Sequence, residues 1–119
     1  MKLSRVKISS DATFKLRSLQ AKTGLTPNIL LRIGFGLSLQ EKAFLDPALY
    51  PQDGQELNRY TLTGEYDAGF LALLKVWLDK SKINANEETA AEYFRAHLNR
   101  GAIALSSRVK SIVDLGLIK

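Results

Sequence analysis

The chain has 119 residues, the size of one domain, and 45% are hydrophobic, enough to form a core. It has no cysteine, which excludes a disulfide, a thiol nucleophile and a thiolate–metal site. Net charge is +5, divided as +6 over residues 1–42, −5 over 43–94 and +4 over 95–119; basic ends of this kind point to a polyanion, usually nucleic acid, or to a solvated face with local charge bias.

No apolar run approaches the ~20 residues of a membrane helix. The first stretch, "MKLSRVKISS", alternates, unlike the apolar centre of a secretory signal. A soluble, cytoplasmic chain is expected. The alternation predicts a short strand, with Leu3, Arg5 and Lys7 on one side and Ser4, Val6 and Ile8 on the other. A lone strand needs a partner. With no clear second strand nearby, the economical partner is the same strand of a second subunit.

"SSDATFKLRSLQAKTG" predicts a helix capped by Ser9 or Ser10, with Asp11 at the positive end of the dipole. Phe14, Leu16 and Leu19 are its expected apolar face, and Gly24 stops it. Thr26 as N-cap and Pro27 in the first turn start the next helix. Its residues Ile29, Leu30, Leu31, Ile33, Phe35, Leu37 and Leu39 leave little polar surface, so burial on several sides is expected. Gly34 and Gly36 each cost about 1 kcal/mol relative to Ala inside a helix. They mark either a close approach of another backbone, such as a subunit interface, or a break.

Residues 46–67, with Pro47, Pro51, Gly54 and Gly64, read as a loop-rich connection with a short extended piece at 59–62. An apolar helix is predicted from Ala68 to about Lys80. A further one is capped by Asn86, carries Glu87 and Glu88 in its first turn, and is closed by Arg100 and Gly101. A last helix follows, with Ile103, Val109, Ile112 and Val113 among its core candidates. The sum is a mainly α-helical single domain, 1–119, with a short N-terminal strand.

Strand, helix, Gly turn, Thr-Pro start and apolar helix occur in an order that resembles the ribbon-helix-helix fold. That fold pairs the strands of two chains, and the ribbon enters a DNA major groove. Arg5 and Lys7 would then face groove or phosphate, and Thr26 and Asn28 would sit near a phosphate at the helix N-terminus. Across nearly the whole chain the sequence resembles the DndE family of DNA sulfur-modification (phosphorothioation) proteins. The stretches that carry this are "KLRSLQAKTGLTPNILLRIGFGLSL" (15–39), "GQELNRYTLTGEYD" (54–67) and "YFRAHLNRGAIALSSRVKSIVDL" (93–115). The resemblance implies a small helical protein that self-associates, typically as a tetramer. It also implies companion phosphorothioation proteins and binding of duplex DNA, with a preference for nicked duplex, but no sulfur chemistry in this chain.

The DNA-contact candidates are Lys2, Arg5, Lys7, Lys15, Arg17 and Lys22, whose charges suit phosphates, with Gly24, Thr26 and Asn28 offering backbone and cap groups. Solubility alone also accounts for exposed lysines. No aromatic residue interleaves with this set, so stacking of single strands is not indicated there. His97, the lone histidine, lacks visible co-ligands and suits packing or capping better than catalysis. Asp53, Glu65 and Asp67 are the best carboxylate trio for a metal, yet turn and helix-start roles explain each. No catalytic residue, cofactor or metal is therefore expected. The rival readings are a ribbon-helix-helix repressor, a metal-dependent nuclease and a structural adaptor that binds protein.

Overall fold

A computed structural model describes residues 3–110; the expectations for Lys2, Ile112 and Val113 lie outside the described residues. Strand β1 (Arg5–Lys7) pairs antiparallel with β2 (Glu56–Asn58), with Val6 opposite Leu57. Both central residues are buried and their neighbours exposed, as the period of two requires. The strand partner is thus supplied by the same chain, where a second subunit's strand was expected. The signal was weak because β2 is three residues long and sits in a segment full of turn residues. The extended piece is 56–58, one step before the expected 59–62. Asn58 takes the N–H groups of Tyr60 and Thr61 on its side chain and turns the chain into a short helix, α3 (Arg59–Thr63).

Helix α1 (Ser10–Thr23) begins where expected, with the Ser9 hydroxyl accepting the Ala12 N–H. It ends at Gly24, which adopts φ +73° and returns its N–H to the Gln20 carbonyl. Its buried residues are Ala12, Thr13, Leu16, Leu19 and Thr23. Phe14, expected on the apolar face, is 74% exposed. Small and hydroxylated residues took the place the aromatic was assigned: Thr13 returns its hydroxyl to the Ser9 carbonyl and is buried without an open polar group.

Helix α2 (Pro27–Gln40) is capped by Thr26 and runs unbroken through Gly34 and Gly36. Helix α4 (Asp67–Lys80) buries Leu74 and Leu78 and exposes Leu73 and Val76. The long α5 (Glu87–Arg108) is capped by Asn86 and continues straight through Gly101. Gly101 therefore does not close a helix, and residues 102–108 are the end of α5 rather than a separate element. The reason is a crossing. A Cβ on Gly34 would lie 2.7 Å from the Gly101 carbonyl carbon, and a Cβ on Gly101 would overlap the Gly34 carbonyl. The close approach inferred for Gly34 is real, but its partner is α5 of the same chain. Around this crossing Leu30, Leu31, Phe35, Phe94, Leu98 and Leu105 are essentially fully buried.

This contrast generates a test. Gly101→Ala forces backbone apart and should cost about 1–3 kcal/mol. Gly36→Ala meets open space and should gain up to about 1 kcal/mol from helix propensity alone. Thermal unfolding of the two variants should move in opposite directions, and equal shifts would refute the crossing.

Candidate nucleic-acid interface

The eight candidate contacts among the described residues fall into three places. Lys15 and Lys22 are seven residues apart on α1 and so share a face. Lys22, Gly24, Thr26 and Asn28 follow one another around the end of the α1–α2 hairpin. Arg17 looks elsewhere, toward a recess it shares with Phe14, Asp53 and Gln55. Arg5 and Lys7 are exposed on β1, beside a recess lined also by Glu88 and Glu92. The structure therefore assembles the hairpin end but does not join β1 to it as one basic ribbon.

Charge pairing narrows the set further. Arg5 lies 3.3 Å from Glu56, and Lys15 lies 3.2 Å from Asp11, both pairs exposed. Lys7 lies near Asp53, whose carboxyl is held below its ordinary range first by the Ser10 backbone N–H. The Ser10 hydroxyl and the Lys7 charge act in the same direction. Arg17 and Lys22 are exposed and make no ion pair among the described residues. Such charges can displace counterions from a phosphate backbone without first giving up a protein partner. The Gly24 N–H closes α1, and the Ile29 N–H goes to the Thr26 hydroxyl. Pro27 has no N–H, so the Asn28 N–H is the donor left at this helix start.

The carboxylate trio does not converge. Asp53 accepts the Ser10 N–H at 2.7 Å and its hydroxyl at 3.2 Å. Asp67 forms a two-pronged pair with Arg59, 3.1 Å on each arm, and accepts the Thr63 hydroxyl at 2.7 Å. Glu65 is exposed. Among the described residues no group of three or more His, Asp and Glu is placed to hold a metal ion.

His97 is buried in the core between α2 and α4. Its Nδ1 lies 2.7 Å from the Ser38 hydroxyl, which itself accepts the Arg100 Nε–H at 2.8 Å. The other ring nitrogen, Nε2, is buried without a hydrogen-bond partner among the described residues. Trp77 stands perpendicular to the ring at 4.3 Å, and Phe35 at 5.6 Å. Burial first, and the Arg100 charge second, lower its pKa from 6.5 to about 3. Sequence reasoning missed Asn99, a buried side chain of α5. It accepts the Ser9 N–H at 2.8 Å and donates to the Arg95 carbonyl, tying the start of α1 to α5. Its position two residues past His97 on a helix gave no signal, because a polar residue there reads as solvent-facing.

The fold and its hairpin end define a small α-helical protein with exposed basic side chains. The chain belongs to the DndE family: the model for the DNA sulphur modification protein DndE matches residues 5–112. The crystal structure of DndE from Escherichia coli B7A, described as involved in DNA phosphorothioation modification, is similar in fold, with TM-score 0.72 and 26% identity. That likeness covers 88% of this chain and 98% of the other. A glycine-to-lysine double mutant of DndE has the same fold, with TM-score 0.69, 24% identity, and coverage of 88% and 99%. No curated protein matches.

The histidine makes a pH prediction. Its folded pKa is depressed, so the unfolded chain takes up a proton first. Stability is full above about pH 6.5 and declines as pH falls toward about 3. Urea midpoints measured across that window should slope downward, and His97→Phe should flatten the slope between pH 6.5 and 5, where few carboxylates titrate. An unchanged slope would show that the imidazole takes up its proton alike in the folded and unfolded chain.

Proposed function

We propose that this protein serves DNA phosphorothioation as a DNA-binding accessory subunit that works with companion modification proteins. The family match over residues 5–112 carries the reading. The E. coli neighbour, described as involved in the same modification, supports it. Duplex, including nicked duplex, is held through the basic hairpin end, with Lys22 as its leading phosphate contact and Arg17 adding a second one from the neighbouring recess. Lys15, Thr26 and Asn28 act beside them, and Arg5 and Lys7 contribute less because carboxylates lie close. The chain contributes no sulfur chemistry of its own. Sulfur transfer normally runs through a cysteine, a metal–sulfur cluster or another sulfur carrier, and there is no cysteine here. It acts as an oligomer, a tetramer in this reading, and the exposed Leu73 and Val76 on one side of α4 are the surface such assembly would cover. A ribbon-helix-helix repressor is less well supported, because β1 already has its antiparallel partner within the chain.

Duplex binding measured over a salt series tests the proposal. Arg17→Ala with Lys22→Ala should weaken binding to unrelated sequences alike and lower the log–log salt slope by ~0.9 per lost phosphate contact. Arg5→Ala should change it less. Supercoiled plasmid in the same mixtures with Mg²⁺ should stay uncut. Cleavage lost in an Asp53→Ala, Glu65→Ala, Asp67→Ala triple variant would make the chain an enzyme. Binding that ignores salt would remove the phosphate contacts.

A further inference from the structure

At the other end of α2 from the hairpin turn, three distant segments meet. The loop after α2, the C-terminal part of α4 and the N-terminal half of α5 enclose a groove of about 520 Å³. Its aromatic lining is Phe44, Trp77 and Tyr93, and its basic residues are Lys42 and Lys80.

The aromatic wall is held in place. Trp77 and Tyr93 lie 5.6 Å apart, tilted by 45°. Trp77 also stands edge-to-face on His97, which the Ser38 hydroxyl fixes. Phe44 is 85% exposed, yet its backbone is pinned on both sides. The Ala43 carbonyl accepts from Arg100 Nη1 at 2.9 Å, and Leu45 is only 3% exposed. An isolated exposed apolar side chain is ordinary. Here one is presented on a fixed backbone in a groove that two further rings also line, which offers a planar group aromatic contacts.

The charge of the groove selects what would stack. Lys42 and Lys80 are exposed and make no ion pair among the described residues. Glu41 is the one acid in the lining, and its carboxylate is already engaged. One oxygen accepts the Lys42 and Ala43 N–H groups, and the other lies 4.0 Å from Arg108. The free charge at the groove is therefore positive. Aromatic faces with flanking lysines match a planar base carrying a phosphate, and stacking of this kind tolerates any base. A groove of this size also has room for one nucleotide.

We propose that this groove holds an unpaired nucleotide of a DNA strand, stacked on Phe44, Trp77 and Tyr93, with Lys42 and Lys80 on its phosphates. The proposal rests on the DNA-binding reading above and adds a second, single-stranded contact to it. Trp77 is the chain's one tryptophan, so its fluorescence reports on the groove directly.

The test titrates the full chain with a short oligothymidylate, with an abasic oligonucleotide of equal length and charge, and with a blunt duplex followed by anisotropy. Oligothymidylate should quench Trp77 saturably, and the abasic strand should not. Phe44→Ala, at an exposed position outside the core, should weaken the quenching about tenfold. Lys42→Glu with Lys80→Glu should weaken it too. Duplex binding with no quenching by oligothymidylate overturns the groove and leaves the duplex reading standing. Quenching without duplex binding does the reverse. Equal quenching by the abasic strand, or by Phe44→Ala, overturns the stacking. If Phe44→Ala instead sediments as a lighter species, the groove is a contact between copies and the nucleotide is excluded from it.

Discussion

The contact between the Gly34 and Gly101 backbones sets the distance between α2 and α5, and most of the molecule is arranged around it. Two helices that carry side chains at their crossing stay 8–10 Å apart. Here neither helix has a side chain at the crossing point, so their backbones touch. That brings Ser38, one turn along α2, within reach of His97 and Arg100 on α5. Arg100 then donates to the Ser38 carbonyl and the Ala43 carbonyl, which fixes how the chain leaves α2. The crossing thus governs a buried polar cluster and, through it, a surface loop more than one helical turn away.

A second set of contacts ties the N-terminal segment to the same framework. Asn99, on α5 between the crossing and the His97 cluster, accepts the Ser9 N–H, and Asp53 accepts the Ser10 N–H. The start of α1 is therefore held from one side by α5 and from the other by the 46–58 connection. Arg59 extends this arrangement. It is 4% exposed, binds Asp67 through two nitrogens, and donates to the Leu3 carbonyl. A buried charge left without its partner is costly, so Arg59 and Asp67 act as one unit that fastens β1, α3 and the start of α4.

What was legible in the sequence follows from the range of the interactions. Caps are local: Ser9, Thr26 and Asn86 begin their helices and Gly24 ends one, because each acts on backbone groups within four residues. Gly101 misled for the same reason. A glycine near the end of an amphipathic run has the local look of a stop, and only the position of Gly34, 67 residues earlier, shows that it is a contact. Phe14 misled because helical periodicity ranks side chains by apolarity, whereas the space beside Ser9 suits a threonine. The hairpin end was legible as a basic, capped turn. The aromatic groove was not, since Lys42, Phe44, Trp77, Lys80 and Tyr93 come together only after α2, α4 and α5 have packed.

The same reasoning applies to charge. The first 42 residues hold a net +6, which suggests one basic face. Folding divides it. Arg5 and Lys15 are paired with carboxylates, and Arg32 turns inward to donate to the Leu62 carbonyl at 2.6 Å. Arg17 and Lys22 remain on α1, and Lys42 lies at the far end of α2. The acidic middle of the chain is divided as well: Asp53 and Asp67 are engaged in holding backbone and Arg59, while Lys80 projects beside Lys42. Net charge by segment thus gives the sign of the charge a segment carries but not the surface that presents it. That surface is set by which charges the fold leaves exposed and which it pairs, as the pairing of Arg5 and Lys15 and the exposure of Lys22, Lys42 and Lys80 illustrate.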